Sequence, residues 1–461
     1  MKLFSKKKEL TFGYALFVMA AILGIIIVLG AIFGLKMQAM FLLAWLVAVL
    51  LCMPLGYSYD DLQKGMFAFM PRGLLPISFM LTIGGLIGVW NASGTIAYVT
   101  HLGLTLISPN AFLVTSFLIS LAFAFVTGTS WGTVGSIGIA LFGVGLGMKF
   151  DPLVAASPII CGAYIGDGIS PMSDTTNIIS GALDIDLFTH IKYLMRVAIP
   201  TIIITAVIYL FMGLKGTGGN VDISGVSAIM TGITDNFKTG IVTLIPIILV
   251  LLLLAIKVKT IPALLGGIYS GLAISVFYQG NSLKDSIIYM WSGYTLSSGN
   301  EFIDKLFSRG GMTSVTSTVV MVIMAFGLFG ILNTAGILDK VVEPLSRRIT
   351  SYVGGAVCTL FFGLIANLSS STTFAYLFCS NMLGNVYDKL GFDRRELANA
   401  VMVACLPLGL WIPWNTNAAT PAASLGVEPG QVALLLVTPY VYIVVLLVTS
   451  FIRQKKEKAG I

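Results

Sequence analysis

Charge is what this chain has least of. Asp, Glu, Lys and Arg make up 10% of its 461 residues, against roughly 25% in a soluble globular protein. Hydrophobic residues reach 57% and the mean hydropathy is +0.95, which excludes a soluble fold and predicts an all-α polytopic membrane protein. Cysteine is sparse too. Cys52, Cys161, Cys358, Cys379 and Cys405 stand singly with no C-x-x-C pair, so neither a disulfide framework nor a zinc site is indicated. There are two histidines, His101 and His190, and no H-E-x-x-H. His190, beside Lys192 and Arg196, reads as interfacial. Gly135-Ser-Ile-Gly138 has no histidine facing it, so no enzyme is expected. The net charge of +7 calls for no nucleic acid. Lysines gather at the ends, at Lys2, Lys6, Lys7 and Lys8 and at Lys455, Lys456 and Lys458, as in cytoplasmic tails. The first apolar segment lacks a small-residue cleavage site and reads as a retained helix.

Apolar spans fall near 12–33, 38–56, 74–92, 197–213, 239–256, 260–279, 316–334 and 431–452, with an amphipathic, interfacial stretch between 279 and 316. Two pairs are shorter, 112–126 with 131–146 and 355–368 with 373–387. Both fall below the ~18–20 residues needed to cross, which predicts re-entrant hairpins. Their tips are Thr127-Gly-Thr-Ser130 and Ser369-Ser-Ser-Thr372. Two further segments are interrupted: 152–183 at Ser170-Pro171, and 396–425 at Ile412-Pro-Trp-Asn-Thr-Asn417. Proline lacks an N–H and drives the preceding residue out of helical geometry. The first of these helices should stop near Ser170 and restart near Asp174. Inside a bilayer such a break survives only where it is enclosed by protein or lines a cavity.

The halves repeat. A shift of 242 residues places Gly85 on Gly327, Gly88 on Gly330, Asn91 on Asn333 and Gly94 on Gly336. It also places one hairpin tip on the other, Phe150-Asp151 on Phe392-Asp393, and Pro171 on Pro413. With the amino terminus inside, Lys64, Arg72, Lys192, Arg196, Lys257, Lys259, Arg347, Arg348, Arg394 and Arg395 all fall on the cytoplasmic side. The span at 74 then runs outward and its mate at 316 inward, so the repeats are inverted. Inverted repeats with a broken helix in each describe a secondary transporter.

The residues that would carry the chemistry cluster at the breaks and tips. Half-helix ends, hydroxyls, carbonyls and carboxylates there suit a hard cation such as Na+ or H+. Asp174 leads, because a charge at bilayer depth costs roughly 2.5–3.5 kcal/mol and needs a partner or a task. Its alternative role is to cap the restarted helix. The candidate ion ligands are Asp174, Ser173, Asp167, Thr175, Asn177, Thr127 and Ser130, with Na+ at Asp174 and Ser173. The candidate substrate ligands are Thr129, Trp131, Ser370, Ser371, Thr372, Trp414, Asn415, Thr416 and Asn417. Aromatic core is the rival reading for both tryptophans, and helix packing for Asn415 and the hydroxyls. The mates of Asp167 and Asp174 are Gly409 and Thr416, so the titratable groups lie in the first half.

Gly166 to Asn177, G-D-x-x-S-P-x-S-D-T-T-N, resembles the signature of the NhaC family of bacterial Na+/H+ antiporters. T-G-T-S-W-G-T at 127–133 and I-P-W-N-T at 412–416 resemble the family's other recurring stretches. Two departures stand beside the site: Gly168-Ile169 where the family commonly has a lysine, and Asn417-Ala-Ala where it often has Cys-Gly. The resemblance implies a homodimer in the bacterial inner membrane, with both termini cytoplasmic and an elevator-like transport domain moving against a scaffold. The expected division is 1–109 scaffold, 110–183 transport half, 184–352 scaffold, 353–425 second transport half, and 426–461 last span and tail. It implies Na+/H+ exchange with Na+ and H+ as coupling ions and no other cofactor. The alternative is coupled transport of an amino acid or small organic acid, of the malate/lactate type.

Overall fold

Backbone polar groups in lipid must be satisfied within the chain, and helices do this segment by segment. The computed structural model describes residues 8–29, 35–216, 223–346 and 349–458, and among them there is no strand. Lys2, Lys6, Lys7, Arg347 and Arg348 lie outside the described residues. The first half comprises α1 (Phe12–Leu23), α2 (Met37–Cys52), α3 (Tyr59–Phe69), α4 (Leu74–Ala92), α5 (Thr95–Leu106) and α6 (Phe112–Thr127). It continues with α7 (Ser130–Gly147), α8 (Pro152–Gly168), α9 (Asp174–Leu183) and α10 (Leu187–Gly216). Then come α11 (Ile223–Asn236), α12 (Ile245–Ala255), α13 (Thr260–Ile274), α14 (Leu283–Ser292), α15 (Glu301–Phe307) and α16 (Thr316–Thr334). The chain closes with α17 (Ile337–Ser346), α18 (Tyr352–Asn367), α19 (Thr372–Lys389), α20 (Arg394–Gly409), α21 (Thr416–Leu425) and α22 (Val437–Lys458). Eight helical stretches among the described residues are long and apolar enough to cross a bilayer.

The 242-residue shift holds at the level of elements. It carries α4 onto α16, α7 onto α19 and α9 onto α21 end for end, and the turn Met70–Gly73 onto Met312–Val315. The helix-starting caps correspond as well. Thr129 accepts from Gly132 N–H (3.1 Å) as Ser371 does from Phe374 N–H (3.2 Å). Asp151 caps α8 as Asp393 caps α20, and Ser173 caps α9 as Asn415 caps α21. Gly128 at φ +67° is matched by Ser370 at φ +64°.

Two expectations need correction. The arms of the first hairpin are longer than the apolar runs alone. A tight turn from Pro109 extends α6, and the Thr129 cap starts α7 at Ser130. The arms become 19 and 18 residues, enough to cross, so length no longer calls for a re-entrant hairpin there. The amphipathic stretch before α16 reaches into the bundle rather than only skirting it. α14 packs on α4, and Gly311 N–H donates to Gly84 O (2.7 Å) in the middle of that helix.

The halves interlock. α6 lies along α8 and α18 along α20, while α9 crosses onto α19 and α21 onto α7. Each restarted half-helix is thus held by the second arm of the opposite repeat.

Candidate functional site

α8 ends at Gly168 and α9 begins at Asp174, as the proline requires. The gap is tied down by its own hydroxyls. Ser170 Oγ donates to Phe125 O (2.7 Å), and Thr176 Oγ1 donates to Ser170 O (2.8 Å) and Ser173 O (3.0 Å). The hairpin tip sits on the break so closely that a Cβ at Gly128 would meet Met172 backbone at 2.6 Å.

Asp167 occupies the last turn of α8 and is 6% exposed. Its Oδ2 accepts Ser130 N–H (3.1 Å) at the amino terminus of α7, where the helix dipole favours negative charge. Ser130 and Ser173 side chains also interact with the carboxylate. Oδ1 is buried and has no partner. A buried polar atom of this kind costs free energy unless something fills it.

The expected ion ligands therefore divide. Asp167, Ser130 and Ser173 converge, while the Thr175 hydroxyl accepts from the Tyr376 hydroxyl (3.4 Å). Asp174 is exposed at the first position of α9. It is not the cap, because Ser173 Oγ accepts Thr175 N–H (3.1 Å) instead. Asn177 is exposed and donates to Ser173 O (2.7 Å), and Thr127 spends its hydroxyl on Phe123 O (2.9 Å) of its own helix. His190 is fully buried, with Nδ1 3.0 Å from Ser180 Oγ.

The second break carries a neutral counterpart. Gly409 stands where Asp167 does in the first, and the space is taken by three amides. A Cβ at Gly409 would meet Asn367 Oδ1 at 3.1 Å, Asn417 Nδ2 at 3.2 Å and Asn415 Oδ1 at 3.3 Å. Asn415 Nδ2 donates to Asn367 O (2.7 Å) and Oδ1 (3.1 Å), and Asn415 Oδ1 accepts Asn417 N–H (2.9 Å). Asn367 Nδ2 in turn donates to Ala404 O and Cys405 O of α20, each at 3.1 Å.

The expected substrate ligands largely serve this framework. Thr416 Oγ1 donates to Ser370 O (3.0 Å), and Thr372 Oγ1 lies 3.5 Å from Asn415 Oδ1. Trp414 is buried edge-on to Phe41 and donates to Leu368 O (3.1 Å). Trp131 is half-buried against Phe79. Thr129 and Ser371 are caps. Ser370 keeps a buried hydroxyl without a partner.

Three contributors carried no signal in the sequence. Asn367 lies just outside the polar tip, and Tyr164 and Tyr376 look like ordinary core aromatics. Pro421 inside α21 deprives Asn417 O of its helical donor, and Tyr164 OH supplies one at 2.7 Å. Tyr164 and Tyr376 thereby bind each break to the opposite repeat.

The sequence pattern of the Na+/H+ antiporter family matches residues 8–214 and 162–453. The chain is 31% identical to the malate-2H(+)/Na(+)-lactate antiporter of Bacillus subtilis over 89% of its length and 88% of that protein's. It is 30% identical to the Na(+)/H(+) antiporter NhaC of Alkalihalophilus pseudofirmus, over 92% and 91%. The arginine/ornithine antiporter ArcD of Halobacterium salinarum is 28% identical over 92% and 88%. With its membrane-crossing helices, this chain belongs to the Na+/H+ antiporter family and is a multi-pass secondary transporter of the antiporter type.

Proposed function

We propose that the protein exchanges Na+ for H+ at the plasma membrane, with Asp167 as the group the two ions share. One observation carries this: Asp167 Oδ1 is a buried carboxylate oxygen with no protein partner, flanked by Ser130 and Ser173. An ionised carboxylate at that depth is costly without a countercharge. A proton on Oδ1 removes the charge. A sodium ion held by Oδ1 and the two hydroxyls balances it. Either occupant excludes the other, so the site leaves one side with Na+ and the other with H+. Ser130 N–H holds Oδ2 throughout and keeps Oδ1 aimed at the ion.

The transport domain we assign is 110–183 with 353–425, moving elevator-like against a scaffold of 1–109, 184–352 and 426–461. The interlocking of α9 with α19 and α21 with α7 supports one moving body. Homodimerisation and cytoplasmic termini belong to the same reading, supported by the family likeness and by Lys64, Arg72, Lys192 and Arg196 falling on one side. A second reading is coupled transport of a small organic acid or amino acid. It is favoured by the named cargo of the Bacillus subtilis and Halobacterium relatives.

Purified protein in liposomes with a trapped pH dye tests the site. Asp167→Asn is expected to abolish Na+-driven proton movement while the protein stays folded. Asp174→Asn, at an exposed position, is expected to retain measurable exchange. Full exchange in Asp167→Asn would sink the assignment.

A further inference from the structure

The 242-residue shift carries α3 onto residues 301–311, and α15 begins where α3 does but stops four residues short, at Phe307. In the first, α3 runs straight into the turn Met70–Gly73. In the second, residues 308–311 intervene between α15 and the matching turn Met312–Val315, and Arg309 stands where the first repeat has Phe67. Returning past α4, this segment delivers Arg309 to the carboxyl end of α21. Arg309 Nη2 donates to Leu425 O (3.0 Å), and the guanidinium rests 4.9 Å above the Phe142 ring of α7. The side chain is half-buried, and no carboxylate pairs with it among the described residues. Among the described residues, Nε and Nη1 have no hydrogen-bond partner.

A helix end needs only a point charge or one donor, which lysine supplies equally well. A guanidinium offers five donors in a planar fork that matches a carboxylate. Four of the five N–H groups here have no acceptor among the described residues.

α21 adds an independent observation. Asn417, Thr420 and Ser424 recur at spacings of three and four, so they share one face of that helix. All three are buried, and Thr420 Oγ1 has no partner. This polar face runs from the second break to the Arg309 end, about 12 Å at the helical rise from Asn417 to Leu425. Asn417 Nδ2 donates to Leu406 O (3.3 Å) and Ser424 Oγ to Thr420 O (2.8 Å), so the Thr420 hydroxyl is the member of this face that is costly unless something polar reaches it.

We propose that Arg309 is the docking point for the carboxylate of a small organic solute, which then meets the polar face of α21 on its way to the second break. This rests on the antiporter reading above and assigns to the second repeat the cargo that its neutral amides would hold. The station exists only in the repeat that lacks the acid, so anion and cation are received on different repeats.

The full chain in phosphatidylcholine nanodiscs tests it by thermal shift and calorimetric titration with L-lactate and L-malate, and separately with NaCl. Wild type is expected to bind at least one of the acids. Arg309→Gln should weaken that binding tenfold or more, and Arg309→Lys, which keeps the charge and the Leu425 bond but loses the fork, should weaken it as well. The NaCl response should persist in both variants, which also reports their folding. If Arg309→Gln does not fold, Arg309→Lys decides. Unchanged acid binding in the folded variants, or no acid binding by wild type, overturns the proposal. Absence of Na+-driven proton flux in wild type would instead count against the function proposed above, so the two failures are separable.

Discussion

Ser370 holds a left-handed backbone at φ +64° that its mate Gly128 takes at φ +67°. A side chain in that region costs roughly 1–2 kcal/mol, which glycine avoids. Ser370→Gly should therefore stabilise the protein by about 1 kcal/mol, read as a higher unfolding midpoint in detergent. A lower midpoint would mean the buried hydroxyl has a structural partner. A higher midpoint with lost transport would give that hydroxyl to the cargo. The same scale separates what the sequence disclosed about the acids from what it hid. Asp167 and Asp174 lie seven residues apart in one polar motif, and both were visible as candidates. Their order was not. Which one turns inward depends on where α8 ends and on Ser130 N–H meeting it from another helix, neither of which is written in local composition.

At the scale of elements, the breaks were legible because proline and its neighbours act locally. The helices stop at Gly168 and Gly409 and resume at Asp174 and Thr416, close to where the backbone chemistry puts them. Hairpin arms were less so, because a cap and a tight turn add residues that hydropathy does not count. The amide framework of the second break was half visible: Asn415 and Asn417 stood out, and Asn367 did not. That framework has a measurable cost of removal. Asn367→Ala removes the side-chain donor to Ala404 O and Cys405 O and one of the two acceptors of Asn415 Nδ2, which keeps its bond to Asn367 O. Each lost hydrogen bond is worth about 0.5–1.5 kcal/mol, so a fall in the unfolding midpoint is expected. An unchanged midpoint would show that water replaces the amide.

At the scale of the whole molecule, the shift of 242 residues is followed by the ends of α4, α7 and α9, by the caps at Asp151 and Ser173 and by the left-handed pair Gly128 and Ser370. The departures from it are where the two halves take different work: an acid against a glycine at Asp167 and Gly409, and Arg309 on an unwound stretch where the first half has Phe67 in a helix. The acid has an electrical consequence. A site with one carboxylate is neutral with Na+ aboard and neutral with H+ aboard, and negative only when vacant. One-for-one exchange then moves no net charge, while each uncompensated charge would feel about 2.3 kcal/mol per 100 mV across the membrane. Clamping liposomes with valinomycin and potassium should leave Na+/H+ exchange unaltered in either polarity. A rate that follows the clamp would require a second charge travelling with Asp167. The empty carrier alone would have to drag a bare charge through the field, and that penalty is what would keep it from returning without a passenger.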